Sequence, residues 1–443
     1  MEILQEWGQG FSSLLSQYNL LVCVIAAIAG TLLAFLPGMT PTTIIALLMP
    51  FAFGLAPMTP MTTVIVMVAL CYGAQYGRSV ATLQHTFHTG QTATGASISR
   101  VALAAFVGGL GVAILVAALI PVLVQAALYF GPAEFAAATI MFLAIAMALS
   151  PDSPVRSFAA VLAGVALGLL GSGLDTGLKL VSFGYLELPD GIGVLPLALG
   201  MLLVPEVISR MWTNGLQSKS EHASSPDIHI EQTGPANNER PDRIALTAAI
   251  VNAGLSACLL PLLLFGLALN VFGVLLVGLL TLQSVVPGPQ LGTKQPQVLW
   301  GVFAAIIVAS VVSLILLLLG GKPLAALSRI NQRLVGPVVL VLACLAVYFG
   351  GNGAADVALM TLFGALALLL NSGWGRGLVV TAFILGPSLV ENIQRSMMIV
   401  RNDALLILGR PIVASVLVLT AIVIGVIYAW RLKRTVPLLN VER

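Results

Sequence analysis

The chain has 443 residues, 58% of them hydrophobic and 8% charged, with a mean hydropathy of +1.03. A soluble domain carries roughly 25% charged residues, so this composition excludes a water-soluble globular protein and marks a polytopic membrane protein. A net charge of +3, with the basic residues scattered among loops, excludes nucleic acid as a partner.

The N-terminal stretch MEILQEWGQGFSSLLSQ holds two glutamates and neither lysine nor arginine. It lacks the basic start of a signal peptide and reads as an interfacial lead-in to the first span. Apolar segments then follow at about Leu20 to Leu36, Thr42 to Leu55 and Met61 to Tyr76. Within GTLLAFLPGMTPTTIIALLMPFAFG (Gly30 to Gly54), Pro37, Gly38 and Pro41 fall between two apolar blocks. Proline removes a backbone donor and glycine weakens what remains, so the helix is expected to break between Leu36 and Thr43. Unpaired backbone polar groups cannot face lipid, so such a break is buried in protein or lines a cavity. Thr40, Thr42 and Thr43 add hydroxyls there. A second interruption is expected in VALCYGAQYGRS (Val68 to Ser79), where Gly73, Gln75, Tyr76, Arg78 and Ser79 gather. The bland alternative is a proline kink whose threonines bond back to their own helix.

The polar patch from Arg78 to Arg100 is expected to be a loop, a re-entrant segment or a cavity lining. Spans follow at about Val101 to Leu128 and Glu134 to Leu149, then one ending near Gly173, a polar excursion, and a short span leaving at Glu206 to Arg210. Residues 212–243 are hydrophilic, mixed in charge and without apolar period, which reads as a linker between membrane halves 1–211 and 244–443. The second half gives Ile244 to Val285, broken by Pro261 and Gly266, then the turn VVPGPQLGTKQP. Further spans lie at about Val298 to Leu319, Val335 to Phe349, Ala355 to Leu370, Leu378 to Val390 and Val413 to Trp430. The expected fold is therefore all-α and multi-pass, with about 10–12 transmembrane or re-entrant helices, some broken, and a degenerate internal repeat. The tail RLKR and the loop with Lys322, Arg329 and Arg333 are the best basic clusters and are expected on the cytoplasmic side.

Several polar residues admit two readings. Arg78 is either a guanidinium fork for a carboxylate or an interfacial residue snorkelling to water. His85 and His88 lie three apart with no third ligand in view, which does not make a metal site. Asp175, Glu187 and Asp190 read as solvated loop charges, with cation binding as the sharper alternative. Glu391 and Arg395 suit an i to i+4 pair, and Asn252, Asn270 and Asn352 suit interhelical hydrogen bonds. Cys23, Cys71, Cys258 and Cys344 sit singly in apolar runs and read as small core residues. No nucleophile–base–orienter set and no GxxxxGK[ST] loop appears, so neither an enzyme nor an ATP-driven pump is expected.

The break and the following YGAQYGRS closely resemble the signature of the large membrane subunit of the tripartite tricarboxylate transporters. GLLGSGLDTGLKLVSFGYLELPDGIGVLPLALGMLLVPEVISR (Gly168 to Arg210), VVPGPQLGTKQPQVLWG (Val285 to Gly301) and LGPSLVENIQRSM (Leu385 to Met397) resemble further parts of that family. The resemblance implies a bacterial inner-membrane subunit that imports small carboxylates, citrate-like di- or tricarboxylates, on an ion gradient. It also implies two partners, a small four-span membrane subunit and a periplasmic binding protein, and a coupling sodium ion or proton in place of any bound cofactor. The substrate would lie against Pro37, Gly38, Thr40, Thr42, Thr43, Gly73, Gln75, Arg78 and Ser79, with sodium near Gly38 and Gly73.

There are departures too. Thr86 to Thr89 replace an N-x-PG turn, and Arg78 stands where the family has glycine. The second LPG break has no counterpart, and a later GIPGS-type break has become GLALN (Gly266 to Asn270). A repeat eroded in this way offers half of a two-break site, which opens an alternative: a non-transporting receptor or assembly subunit derived from the family.

Overall fold

The computed structural model describes residues 10–36, 39–54, 59–87, 95–127, 129–170, 192–213, 241–268, 270–283, 285, 288, 291–327, 332–350, 353–369, 373–400 and 409–439. All regular structure among them is helical, as the composition requires. Six helices are long and apolar enough to cross a membrane, and six shorter apolar helices accompany them. This is a multi-pass membrane protein.

The chain divides by packing into two units, residues 1–125 with 193–371, and residues 126–192 with 372–443. Each unit draws on both sides of the hydrophilic stretch, whose residues 214–240 lie outside the described set, as do Asp175, Glu187 and Asp190.

The first unit begins with α1 (Gln17–Leu33), α2 (Pro41–Gly54) and α3 (Pro60–Phe87). Helices α1 and α3 lie backbone to backbone. A side chain on Gly73 would strike the Ala27 carbonyl, one on Gly30 the Leu70 carbonyl, and one on Gly77 would come 2.6 Å from Thr31 O. Contacts advance together along both helices, from Asn19 with Thr62 to Thr31 with Gly77, so α1 and α3 run parallel. Few residues separate α2 from α1 and from α3, so between two parallel helices α2 returns and α1–α2 is a hairpin. Its tip reaches Gly77, ten residues short of the end of α3 at Phe87, or about 15 Å at 1.5 Å per residue.

This geometry corrects one expectation. Helix α3 is unbroken through Gly73 to Ser79. Glycines at 73 and 77 form a G-x-x-x-G pair that lets two backbones meet, the usual work of small residues between membrane helices. The polar patch after Arg78 is largely helical as well, because α3 continues to Phe87 and α4 (Gly95–Ala127) starts soon after. Leu103, Val107, Ile114, Leu115 and Val122 of α4 are exposed, an apolar face suited to lipid.

The unit continues with α7 (Val194–Ala198), a π-helical turn at Leu199–Leu203, α8 (Val204–Thr213), α9 (Pro241–Phe265), α10 (Val271–Leu282), α11 (Leu291–Lys294), α12 (Pro296–Leu327), α13 (Gln332–Gly350) and α14 (Ala354–Leu369). The π turn packs on α14, where a Cβ on Gly200 would come 2.6 Å from the Met360 carbonyl oxygen. Helix α12 runs parallel to α1, since Cys23 contacts Ala305 O and Thr31 contacts Ser313. Helix α9 runs the other way along α3, pairing Asn252 with Ser79 and Ser256 with Tyr72.

The second unit holds α5 (Pro132–Leu149), α6 (Pro154–Leu169), α15 (Gly373–Ile399) and α16 (Pro411–Leu439). Phe142, Leu143, Val161, Leu378, Ala382 and Leu385 form its core. Gly164 and Gly168 set α6 directly on the carbonyls of Val379 and Phe383. Glu134, buried in the first turn of α5, accepts a hydrogen bond from Gly131 N at 2.9 Å and pairs with Arg410 at 3.3 Å. The expected Glu391–Arg395 pair is present on α15. The RLKR run is part of helix α16 and not a free tail.

Candidate functional site

The break expected from the prolines is present. Helix α1 ends at Leu33, and Phe35 N and Leu36 N bond back three residues to Leu32 O and Leu33 O, tightening the last turn. Pro37 and Gly38 themselves lie outside the described residues. Helix α2 then starts with a reciprocal cap. Thr40 N donates to Thr43 Oγ1 at 2.8 Å, while Thr43 N donates to Thr40 Oγ1 at 3.3 Å. The forward half of this cap also opens α3, where Thr62 N donates to Thr59 Oγ1 at 3.3 Å. T-P-x-T at positions 40–43 and again at 59–62 is therefore a helix-start signal, and sequence reasoning missed its recurrence.

This cap divides the predicted site residues into two groups. Thr40 and Thr43 spend their hydroxyls on the helix start. Thr42 and Gln75, each more than nine-tenths buried, make no side-chain hydrogen bond among the described residues. Polar groups of this kind are donors and acceptors that a solute or water can meet. Gly73 is filled on its exposed-carbon side by Ala27, so its part is packing. Ser79 Oγ donates to Gln75 O at 3.0 Å, and Arg78 is half-buried on the same helix, two turns before its end. The side chains of His85 and His88 lie outside the described residues.

The second break, eroded in sequence, persists in the backbone. Helix α9 runs through Pro261 and stops at Phe265. Gly266 takes a left-handed φ of 68°, and Gly266 N bonds to Leu262 O at 2.9 Å. Asn270 caps α10, accepting from Gly273 N at 2.6 Å, so its role is a cap and not the interhelical tie expected of it. Gly288 of the PGP turn donates to Leu263 O at 3.2 Å and ties that turn to the end of α9. Element order thus recurs, as helix, break, short helix, long helix. The chain has two helix breaks, the second at the Gly266 that the sequence marks as an interruption.

Around α3 runs a belt of uncharged polar groups. Tyr72 bonds Ser256 at 2.8 Å, Ser256 donates to Gly109 O at 2.7 Å, and Tyr76 donates to Ser310 at 3.2 Å. Asn252 donates to Ser79 Oγ at 3.0 Å and Thr31 to Ser313 at 3.2 Å. Asn252 thus proves to be the interhelical bonder expected of it, while Asn352 lies outside the described residues. Buried acids at Glu206 and Asp356 were not singled out by pattern. The four cysteines are free thiols, with Cys23 and Cys71 buried as expected.

The profile of the tripartite tricarboxylate transporter TctA family matches residues 20–85, 89–240 and 223–373. Two proteins of Agrobacterium vitis are similar. One, described as an uncharacterized 52.8 kDa protein in the TAR-I ttuC' 3' region, is 26% identical over 504 aligned positions covering 98% of each chain. The other, from the TAR-II ttuC' 3' region, is 32% identical over 171 positions, 38% of this chain and 69% of its own. An alignment of 504 positions against 443 residues places gaps in this chain, in keeping with the lost segments noted above. No solved structure matches. With two helix breaks in a multi-pass helical fold and a family match over most of its length, the chain belongs to the tripartite tricarboxylate transporter TctA family: it is a membrane transporter subunit and not an enzyme.

Proposed function

We propose that this subunit carries small carboxylates, citrate-like di- or tricarboxylates, across the bacterial inner membrane on an ion gradient. A periplasmic binding protein delivers the solute and a small four-span subunit completes the assembly. The observation that carries this reading is the first break, where the capped start of α2 packs on α3, with Thr42 on one helix and Gln75 on the other, each more than nine-tenths buried and making no side-chain hydrogen bond among the described residues. Helix starts favour anions, and amides and hydroxyls donate to carboxylate oxygens. The proposed solute contacts are Thr42, Gln75, Arg78 and Ser79, with Pro37, Gly38, Thr40, Thr43 and Gly73 shaping the backbone around them.

The persistence of the second break supports a carrier over a receptor or assembly subunit, because alternating access in broken-helix transporters uses two such elements. Uptake of labelled citrate into proteoliposomes holding all three components tests the reading. Gln75→Leu is expected to reduce uptake about tenfold or more, the loss of one to two charge-assisted hydrogen bonds. Tight solute binding by the complex with no gradient-dependent accumulation would replace the carrier by a receptor.

A further inference from the structure

The hydrogen-bond directions around Ser79 are assigned by their partners. Asn252 of α9 is fully buried, and its Nδ2 donates to Ala248 O at 2.8 Å and to Ser79 Oγ at 3.0 Å. A carbonyl accepts and never donates, so the Ala248 contact fixes which end of the amide is nitrogen and makes Ser79 Oγ the acceptor of the second bond. Turning the amide over would set two acceptors against each other at Ala248. The orientation therefore holds, although it leaves Oδ1 buried without a hydrogen bond among the described residues. Ser79 in turn spends its single proton on Gln75 O at 3.0 Å. A hydroxyl has one proton and two lone pairs. With the proton and one lone pair committed, Ser79 has a single lone pair left to offer.

Close packing keeps the donor in place. A Cβ on Gly108 of α4 would strike the Ala249 carbonyl oxygen, and one on Gly109 would come 2.6 Å from Tyr76 Oη and 3.3 Å from Asn252 Cβ. One turn further along α9, Ser256 donates to Gly109 O at 2.7 Å and accepts from Tyr72. Ser79 itself is half-buried, one turn after Gln75 on the same face of α3. We propose that Asn252 is a positioning residue holding Ser79 Oγ as an acceptor, and that Ser79 thereby selects carboxylates that also carry a hydroxyl group. A carboxylate oxygen brings only lone pairs to that oxygen, whereas a solute hydroxyl brings a proton. The inference rests on the carrier reading for placing Ser79 against the solute, and it divides the contacts by chemistry. Thr42, Gln75 and Arg78 have protons for the carboxylates, and Ser79 takes the hydroxyl.

The test is equilibrium binding to the full-length subunit in lipid nanodiscs, with citrate and with propane-1,2,3-tricarboxylate, which is citrate with hydrogen in place of the hydroxyl. The Kd is expected to be about tenfold lower for citrate, the worth of one hydrogen bond. Ser79→Ala removes the acceptor, and Asn252→Leu frees Ser79 to turn its proton toward a carboxylate, so each should bring the two Kd values together. Ser79→Ala changes a half-buried hydroxyl alone and decides the matter even where Asn252→Leu folds poorly. A wild type that binds neither solute or both equally, or a preference that survives Ser79→Ala, overturns the hydroxyl selection. A preference lost in Ser79→Ala but kept in a folded Asn252→Leu removes Asn252 from it. Uptake is read separately: citrate preferred but never accumulated upholds the selection and ends the carrier reading, and citrate accumulated without preference does the reverse.

Discussion

At the scale of single residues, the glycines of this chain do different things that composition does not distinguish. Gly73 admits the Ala27 carbonyl into the space of a side chain, whereas Gly111 and Gly425 have nothing within 4 Å of where a Cβ would stand. Overpacking of a tight contact costs about 1–3 kcal/mol, while open surface positions change by about 0.5 kcal/mol or less. Gly73→Ala is accordingly expected to lower the unfolding midpoint in detergent, and Gly111→Ala to leave it in place. Equal effects would remove the close crossing of α1 and α3. Glu134 gives a second case. It closes its own helix start and holds Arg410, so Glu134→Ala leaves a half-buried guanidinium without that partner. The Arg410 side chain is 35% exposed and water screens it, so a loss of about 1–2 kcal/mol is expected, above that of Glu134→Gln, which keeps the cap. Chemical unfolding of the two variants side by side checks this.

At the scale of elements, capping decides where the broken helices restart. Asn270→Ala removes the acceptor for Gly273 N and is expected to cost about 1 kcal/mol, with Asn270→Ser retaining most of it. If the alanine variant unfolds like the wild type, α10 starts elsewhere. The first break was legible because prolines stop a helix from inside, and Pro37 and Pro41 flank it. The second was legible as an interruption, since Pro261 and Gly266 punctuate the apolar run, but its place was not: α9 runs through Pro261, and Gly266 and Asn270 end and begin the helices by backbone conformation and capping. The reverse error came at Gly73, where glycine weakens a helix in water but in a membrane permits close approach, and the sequence alone does not say which effect wins. Most span starts were legible from hydropathy to within a few residues, while α3, α12, α15 and α16 run on past the expected ends, because a helix continues beyond its apolar part. Of the candidate site, Thr42 and Gln75 were named from sequence. That Thr40 and Thr43 cap a helix, and that Asn252 faces Ser79 across 173 positions of chain, depends on tertiary placement.

At the scale of the whole chain, each packed unit is assembled from segments on both sides of the hydrophilic stretch. Helix α3 takes its neighbours α9 and α12 from the second half, through Ser79, Tyr72 and Tyr76. Two fragments divided within residues 214–240 are therefore expected to be stable when made together and degraded when made apart. Copurification through a tag on one fragment reads this out, and survival of the first fragment alone would contradict the shared core. The belt around α3 has one more consequence. Its hydroxyls and amides carry no net charge, so dissolved electrolyte has little to screen and a drop in acidity or alkalinity near neutrality has nothing to titrate. The grip of α3 on its neighbours should accordingly hold steady through swings of salinity that would loosen an assembly fastened by opposite charges.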